Sequence, residues 1–275
     1  MPSTVLRGDV PPHQSRILQD ILDETAEEVE ERRLVTPQAK LERLAAAAPA
    51  VRDFKAAIVR PVLAVIAEIK AKSPSAGTLV VAYRPSSIAT AYEAAGAAAL
   101  SVLTQRSRFG GWPDHLALAR RATRLPVLRK DFVTDPYQVF EARAYGADAV
   151  LLIVAAMERT LLVELLALVR RLGMTALVEI HTTGELAVAA EIGADVIGIN
   201  HRNLKTMTVD TGLTARLRPR VPSGTVLVAE SGIREAADAR RMRAVGADAV
   251  LVGESLLRAE DPRELIREMT RAERP

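Results

Sequence analysis

The chain has 275 residues, with 37 basic and 34 acidic side chains and no cysteine. This nearly balanced charge argues against general DNA or RNA binding, which usually needs a strongly basic surface. The lack of cysteine excludes disulfide scaffolds, thiolate-bound metals and thiol catalysis. No uncharged stretch approaches the roughly 20 residues of a membrane-spanning helix, and the N-terminus lacks a signal-peptide pattern, so we expect a cytoplasmic protein that does not bind membranes.

Residues 1–60 are predicted to form a helical N-terminal extension. Apolar side chains recur at helical spacing over residues 17–29, with glutamates on the opposite face, and Thr36-Pro37 is a typical start for a second helix. No linker separates these helices from the rest of the chain. We therefore expect them to cover the bottom or the mouth of the domain that follows, in residues 61–275.

Four segments of residues 61–275 share one pattern, in which a glycine and a short turn precede a fully apolar run. The segments begin at Gly96, Gly146, Gly193 and Gly246. Glycine commonly ends a helix in the left-handed conformation, and such an apolar run is typical of a strand buried in a parallel sheet. The segments lie about 50 residues apart, roughly twice the length of one βα unit. This spacing predicts a further strand between each pair.

Together with an initial strand, the pattern predicts eight strands, which begin near residues 62, 98, 126, 148, 174, 195, 225 and 248. Amphipathic segments separate them, and two of these begin with the helix-starting pairs Asp135-Pro136 and Asp261-Pro262. Eight alternating βα units predict the α/β class and a (β/α)₈ TIM barrel, in one domain over residues 1–275. A doubly wound open sheet fits less well, because no glycine-rich phosphate loop follows the first strand.

Charged residues interrupt the apolar strands near their C-terminal ends, where barrels of this kind carry their active sites. Glu68 and Lys70 share one face of the first strand, Lys130 ends the third strand and Glu179 ends the fifth. A structural Glu68–Lys70 ion pair is the simplest interpretation of the first pair alone. However, the chain otherwise prefers arginine, and a partly desolvated lysine can give up its proton near neutral pH, which favours a catalytic role.

Small residues follow the seventh and eighth strands, at Ser231-Gly232 and at Gly253-Glu254. Such loops expose backbone N–H groups at the starts of helices, which is the usual phosphate site of phosphate-binding barrels. Either loop alone is consistent with an ordinary tight turn, but their joint occurrence favours phosphate. The histidines lack the spacing and carboxylate partners of a metal site, so we predict no bound metal.

Six motifs, in order and along the whole chain, resemble those of the indole-3-glycerol phosphate synthase family. They are residues 67–75, 127–132, 177–181, 197–204, 229–233 and 251–255. The resemblance implies ring closure of 1-(2-carboxyphenylamino)-1-deoxyribulose 5-phosphate to indole-3-glycerol phosphate, with loss of carbon dioxide and water, in tryptophan biosynthesis. It implies a small phosphorylated substrate and no cofactor. Members of the family are monomers or homodimers, and the sequence does not distinguish these states.

The resemblance also implies catalytic roles. Lys130 is the expected general acid on the carbonyl group that the aromatic ring attacks, and Glu179 is the expected general base. Glu68 orients the lysines and the substrate amine, while Lys70 faces the departing carboxylate. Asn200 and Glu230 are expected to bind hydroxyl groups of the ribulose chain.

Substrate-binding residues follow from the same resemblance. Arg202 is expected to hold the anionic substrate. The phosphate is expected to bind, in part through backbone groups, to Ser73, Ser231, Gly232, Gly253 and Glu254. The aromatic ring is expected to lie against Pro74, Phe109, Phe132, Leu151 and Leu204.

Three positions depart from the family pattern: Gln105, Trp112 and His201 stand where glutamate, serine and a small or amide residue are commoner. We expect them to border the mouth of the barrel and to alter loop movement and substrate fit more than chemistry. Two other functions remain open. One is a different phosphate-binding barrel enzyme such as phosphoribosylanthranilate isomerase, which leaves the four charged strand-end residues unexplained, and the other is a non-catalytic sugar-phosphate-binding barrel.

Overall fold

A computed structural model of the chain describes residues 16–73, 77–78, 83–204 and 206–271. Eight parallel strands close into a barrel in which each strand pairs with the next along the chain and the last pairs with the first. The strands are β1 (Ala64–Ile69), β2 (Ala99–Leu103), β3 (Val127–Lys130), β4 (Ala149–Ile153), β5 (Thr175–Ile180), β6 (Val196–Asn200), β7 (Val226–Glu230) and β8 (Ala249–Val252). The predicted TIM barrel is therefore confirmed, with every strand beginning within two residues of its predicted start.

Helices surround the barrel, and three of them precede its first strand. They are α1 (Ile17–Val35), α2 (Gln38–Ala47), α3 (Phe54–Ile58), α4 (Pro85–Ala94), α5 (Arg106–Phe109), α6 (Asp114–Ala122), α7 (Pro136–Ala144), α8 (Arg159–Arg171), α9 (Thr183–Glu191), α10 (Leu213–Leu217), α11 (Ala236–Ala244), α12 (Glu254–Arg258) and α13 (Pro262–Thr270). After β1, the short segments Lys72–Ser73 and Gly77–Thr78 pair in antiparallel fashion. No helix in the described part of the chain is long and apolar enough to span a membrane.

The helix boundaries follow local chemistry. The Asp135 side chain accepts the backbone N–H of Tyr137 over 2.7 Å, and Pro136 occupies the first helical position of α7. This helix ends before Gly146, which adopts the left-handed conformation with φ of 86°. A glycine there avoids the steric cost that a side chain would meet, as the sequence pattern predicted.

The strands bury both faces, because helices cover the outside and side chains fill the inside. The interior is apolar near the N-terminal ends of the strands, where Phe54 and Ile58 of α3 join the same cluster as Ala64, Ala98 and Ala149. Arg52, just before α3, donates its backbone N–H to Asp148 at the start of β4 over 2.7 Å. Helix α3 therefore closes the bottom of the barrel and leaves the opposite end open for chemistry.

The other two helices of the extension lie elsewhere. Ile17 and Ile21 of α1 reach the cavity at the C-terminal ends of the strands, so α1 lies over the mouth. Helix α2 packs against α7 on the side of the barrel. Glu28, on the glutamate-rich face of α1, is only 4% exposed because α1 packs against α5.

Candidate active site

A cavity of about 570 Å³ opens at the C-terminal ends of the barrel strands. It is lined by all six residues expected to be catalytic: Glu68, Lys70, Lys130, Glu179, Asn200 and Glu230. Parallel strands in a barrel end on one side of it, so residues far apart in the chain meet there. The strand-end positions of Glu68, Lys70, Lys130 and Glu179 thus predicted that these four residues are neighbours.

Most residues expected to bind substrate line the same cavity. They are Phe109, Phe132, Leu151, Arg202, Leu204, Ser231, Gly232, Gly253 and Glu254. Ser73 lies in the short segment after β1, and its side chain is not among the described groups. Pro74 lies outside the described residues, so the roles of these two residues stay predictions.

Two ion-pair groups form the centre of the site. Lys70 Nζ donates to Glu68 Oε1 over 2.5 Å, which is the pair expected from their shared strand face. Lys130 Nζ lies 3.2 Å from Glu179 Oε2 and 3.6 Å from Glu230 Oε2. All three carboxyl groups are less than one-tenth exposed, so water screens these charges weakly.

Burial and neighbouring charges set the protonation states of this cluster. Burial disfavours the Lys130 ammonium, but the surrounding glutamates, Glu179 foremost, outweigh it and raise the pKa of Lys130. Desolvation was expected to lower that pKa, and the structure reverses this expectation because three carboxyl groups face one amine. Burial likewise disfavours the Glu68 carboxylate, but Lys70 and Lys130 outweigh burial and lower the pKa of Glu68.

Glu230 differs from the other glutamates. Burial raises its pKa to about 8, since the opposing effect of Lys130 is smaller and the charge of Glu179 adds to the increase. The cluster therefore combines an amine at Lys130 whose pKa is raised with a carboxyl group at Glu230 whose pKa is also raised. Such a site can donate protons or hydrogen bonds to substrate oxygens from Lys130, and it can accept a proton at an ionised carboxylate.

Asn200, at the end of β6, is held by the loops around it. Its Oδ1 accepts the backbone N–H of Arg202 over 2.9 Å and the hydroxyl of Ser231 over 2.8 Å. The Nδ1–H of His181 donates to the Asn200 carbonyl oxygen over 2.7 Å. With Oδ1 occupied, the NH₂ group is the part of this amide that can donate to a ligand.

The two loops predicted to bind phosphate meet at one end of the cavity. Ser231 and Gly232 both adopt left-handed conformations, with φ of 66° and 74°, and Gly253 directly precedes α12. The Glu254 carboxylate accepts from Arg258 Nε over 3.0 Å. Arg258 itself and Arg234 also line the cavity, and sequence analysis missed both because arginine is common throughout this chain.

Apolar side chains form the opposite wall. The rings of Phe109 and Phe132 lie 6.3 Å apart between centroids, close to Leu151 and Leu204. Ile17 and Ile21 of α1 complete this wall. Their helical spacing was recognised in the sequence, but no local signal showed that this helix crosses the mouth.

The three departures from the family pattern occupy different environments. Gln105 and His201 are fully buried, whereas Trp112 is 43% exposed. The His201 Nδ1–H donates to the Ser231 carbonyl over 2.8 Å, and its Nε2 accepts the Thr214 hydroxyl over 2.7 Å. Gln105 and His201 lie, as expected, in the loops that follow the C-terminal ends of β2 and β6, and both side chains are buried there.

Within the described residues, no cluster of three or more His, Asp or Glu side chains has the arrangement of a metal site. The family model for indole-3-glycerol phosphate synthase matches residues 18–269. The chain belongs to this family. The match includes all of α1 except Ile17 and every strand of the barrel, so it extends over residues 18–60 of the extension as well as the barrel.

Individual relatives agree with this family. An indole-3-glycerol phosphate synthase 2 from Streptomyces coelicolor is 57% identical over 90% of this chain and 96% of its own length. An indole-3-glycerol phosphate synthase from Mycobacteroides abscessus is 48% identical over 93% of this chain and 94% of its own length.

More distant solved structures share the fold alone. A thiamine phosphate pyrophosphorylase from Pyrococcus furiosus has a TM-score of 0.56 at 19% identity, covering 76% of this chain and 95% of its own. An N-acetylmannosamine-6-phosphate 2-epimerase from Clostridium perfringens has a TM-score of 0.58 at 16% identity, covering 75% and 93%.

Proposed function

We propose that this chain is an indole-3-glycerol phosphate synthase, which closes the ring of 1-(2-carboxyphenylamino)-1-deoxyribulose 5-phosphate with loss of carbon dioxide and water. The observation that carries the proposal is the position of Lys130. Its Nζ lies 3.2 Å from Glu179 Oε2 and 3.6 Å from Glu230 Oε2, inside a cavity that has an aromatic wall on one side and two small-residue loops on the other. Family membership supports the same reaction.

Lys130 acts as the general acid in the first step. The substrate carbonyl carbon is attacked by a carbon of the aromatic ring, and Lys130 donates a proton to the carbonyl oxygen as that bond forms. The raised pKa of Lys130 keeps its amine protonated before the substrate binds. A positioned acid of this kind contributes about 10²- to 10⁴-fold to a rate.

The remaining charged residues act in the later steps. Departure of carbon dioxide restores electrons to the ring system, and Lys70 faces the carboxylate that leaves. Glu179 then removes a proton from the ring-closed intermediate, and the hydroxyl group formed from the carbonyl gains a proton and leaves as water, which completes the double bond of the indole ring. Glu68 holds the Lys70 ammonium through their 2.5 Å hydrogen bond, so that this cation keeps one position during the reaction.

The aromatic ring and the phosphate of the substrate bind at the two ends of the cavity. The aromatic ring lies among Phe109, Phe132, Leu151 and Leu204, and the phosphate lies at Ser231, Gly232, Gly253 and Glu254. Between them, Asn200 and Glu230 contact hydroxyl groups of the ribulose chain, while Arg202 holds the anionic substrate. A phosphorylated small molecule is thus the partner that this cavity suits.

The test is a fluorescence assay for indole-3-glycerol phosphate on the wild type, Lys130→Ala and the control Lys55→Ala. Lys55 is a lysine 42% exposed at its side chain, paired with Asp195 on the surface. We expect turnover by the wild type and the control, and a decrease of about 10² or more in Lys130→Ala. A well-folded wild type without turnover would overturn the proposed reaction, and an unaffected Lys130→Ala variant would overturn the acid role.

A further inference from the structure

Gly198 occupies the middle of β6, where glycine is an unfavourable choice. Its neighbours Ile197 and Ile199 are fully buried, and its φ lies outside the left-handed region that favours glycine. A glycine inside a strand weakens the strand, and it often marks a place where another group approaches closely. The backbone conformation therefore does not require a glycine at position 198, so its reason lies in the space around it.

A methyl group added to Gly198 would meet the catalytic cluster. It would overlap Glu230 Oε1 and lie 3.3 Å from Glu230 Cδ, with Leu177 Cδ1 also at 3.3 Å. The Oε1 atom of Glu230 is buried and has no hydrogen-bond partner among the described residues. The Glu230 carboxyl group thus packs directly against the bare Cα of Gly198.

The register of the strands explains why this space matters. Gly198 pairs with Glu179 on β5 and with Val228 on β7, and Asn200 pairs with Glu230 two residues further along. Lys130 contacts both Glu179 and Glu230, so the carboxyl groups that flank its amine come from the two strands beside β6. A side chain at position 198 would stand between them.

The same arrangement occurs once more in the barrel. A methyl group on Gly253 would overlap Glu68 Oε1 and lie 2.9 Å from Glu68 Cδ. The buried carboxyl groups of Glu230 and Glu68 therefore occupy the space that a side chain would fill at Gly198 and at Gly253. Gly253 is also expected to bind phosphate, so Gly198 provides the cleaner test of this arrangement.

We propose that Gly198 is a positioning residue for the reaction, because its missing side chain leaves the space that holds the Glu230 carboxyl group beside Lys130. The inference rests on the proposed function, in which Glu230 contacts the substrate. An alanine at this position moves the Glu230 carboxyl group into the cavity or changes its distance from Lys130. The clash is with the end of a side chain and not with backbone, so the barrel accommodates the substitution.

The primary experiment compares Gly198→Ala with wild type in kcat, KM and melting temperature. Displacement of a catalytic group by about 1 Å can cost up to about 10²-fold in rate, so we expect kcat to fall by about 10-fold or more while the melting temperature stays within a few degrees. The control is Gly184→Ala in α9, where the nearest atom to an added methyl group is Thr182 Oγ1 at 4.0 Å. This control should keep wild-type kinetics.

A second variant pair separates positioning from general damage. Aspartate is one methylene shorter than glutamate, so its carboxyl group withdraws from the added methyl group. We expect Glu230→Asp alone to lower kcat, and Gly198→Ala to cause little further loss in the Glu230→Asp background. Equal losses from Gly198→Ala in both backgrounds would overturn the proposal.

A measurement without substrate tests the position of the Glu230 carboxyl group independently of the proposed reaction. The carboxyl carbon of Glu230 is followed by NMR in protein labelled with ¹³C at glutamate Cδ, with Glu230→Gln used to assign the resonance. We expect its titration midpoint to shift in Gly198→Ala and not in Gly184→Ala. A wild type without turnover would count against the proposed reaction alone, whereas unchanged Glu230 titration in Gly198→Ala would overturn the positioning role.

Discussion

Gln105 Nε2 donates to Glu28 Oε1 over 3.3 Å and so joins the end of β2 to helix α1. The same carboxylate accepts the backbone N–H groups of Arg106 and Ser107 over 3.1 Å and 2.9 Å. Both Gln105 and Glu28 are buried. A glutamate, which is commoner in the family at position 105, would place two carboxylates together here, so the amide suits the presence of Glu28.

This pair predicts the effect of restoring the commoner residue. Gln105→Glu should lower the free energy of unfolding by about 1–3 kcal/mol at pH 8, because a buried hydrogen bond is replaced by repulsion between carboxylates. Urea denaturation followed by circular dichroism measures the change. The double variant Gln105→Glu/Glu28→Gln restores an amide–carboxylate pair and should recover part of the loss. A double variant as unstable as the sum of its single changes would argue against a direct contact.

Trp112 provides a second prediction, for loop behaviour. The Arg106 guanidinium lies 5.2 Å from the centre of the Trp112 ring, and α5, which begins at Arg106, carries Phe109 into the cavity wall. A cation–π contact contributes about 0.5–1 kcal/mol at an exposed site, so Trp112→Ser should raise KM about 2- to 5-fold. Steady-state kinetics test this expectation, with Trp112→Phe as the control that keeps an aromatic face. Unchanged kinetics in Trp112→Ser would contradict a role for the ring in loop movement.

Arg129 supports the strand that presents Lys130. Its Nη2 lies 2.8 Å from both Asp131 Oδ2 and Glu141 Oε2, and the side chain is fully buried. Arg129→Met leaves the buried Asp131 carboxylate without a cation and leaves Glu141 paired with Arg32 alone; breaking a buried pair typically costs about 3–5 kcal/mol. The comparison is Arg159→Met, whose pair with Glu191 is more than half exposed at both side chains; that change should cost about 1 kcal/mol or less. Urea denaturation measures both, and equal losses would contradict the effect assigned to burial.

His201 predicts a pH dependence of stability. Burial lowers the pKa of His201, with the hydrogen bond to Ser231 opposing this effect. Protonation of His201 is less favourable in the native state than in the unfolded chain, whose histidine pKa is about 6.5. The resulting stabilisation of the native state is present above that pKa and is lost as the pH falls through the lower pKa of the folded protein. Wild type should therefore lose more stability than His201→Asn between pH 7.5 and pH 5.5. Denaturation curves at the two pH values test this, and parallel losses would argue that His201 does not titrate differently on folding.

The strands and the charged residues at their ends were predictable from the sequence, because both depend on local pattern. Apolar runs after Gly96, Gly146, Gly193 and Gly246 identify buried parallel strands wherever the chain places them. Lys130 and Glu179 end such strands, and every strand of a parallel barrel ends on the same side. Their proximity thus followed from topology before any distance was known.

The partners and protonation states of these residues depended on the closed barrel. Lys130 contacts Glu179 and Glu230 on other strands, and only the register between strands decides these distances, whereas the Glu68–Lys70 pair lies within one strand and was expected from the sequence. The raised pKa of Glu230 likewise arises from burial, a property of the assembled interior. The sequence by itself determined which residues form strands and which polar or charged residues lie at the strand ends, because apolar runs and the residues that follow them are local features. The tertiary structure decided the space at Gly198, the burial of Glu28 and the position of α1, because each depends on contacts between segments distant in the chain.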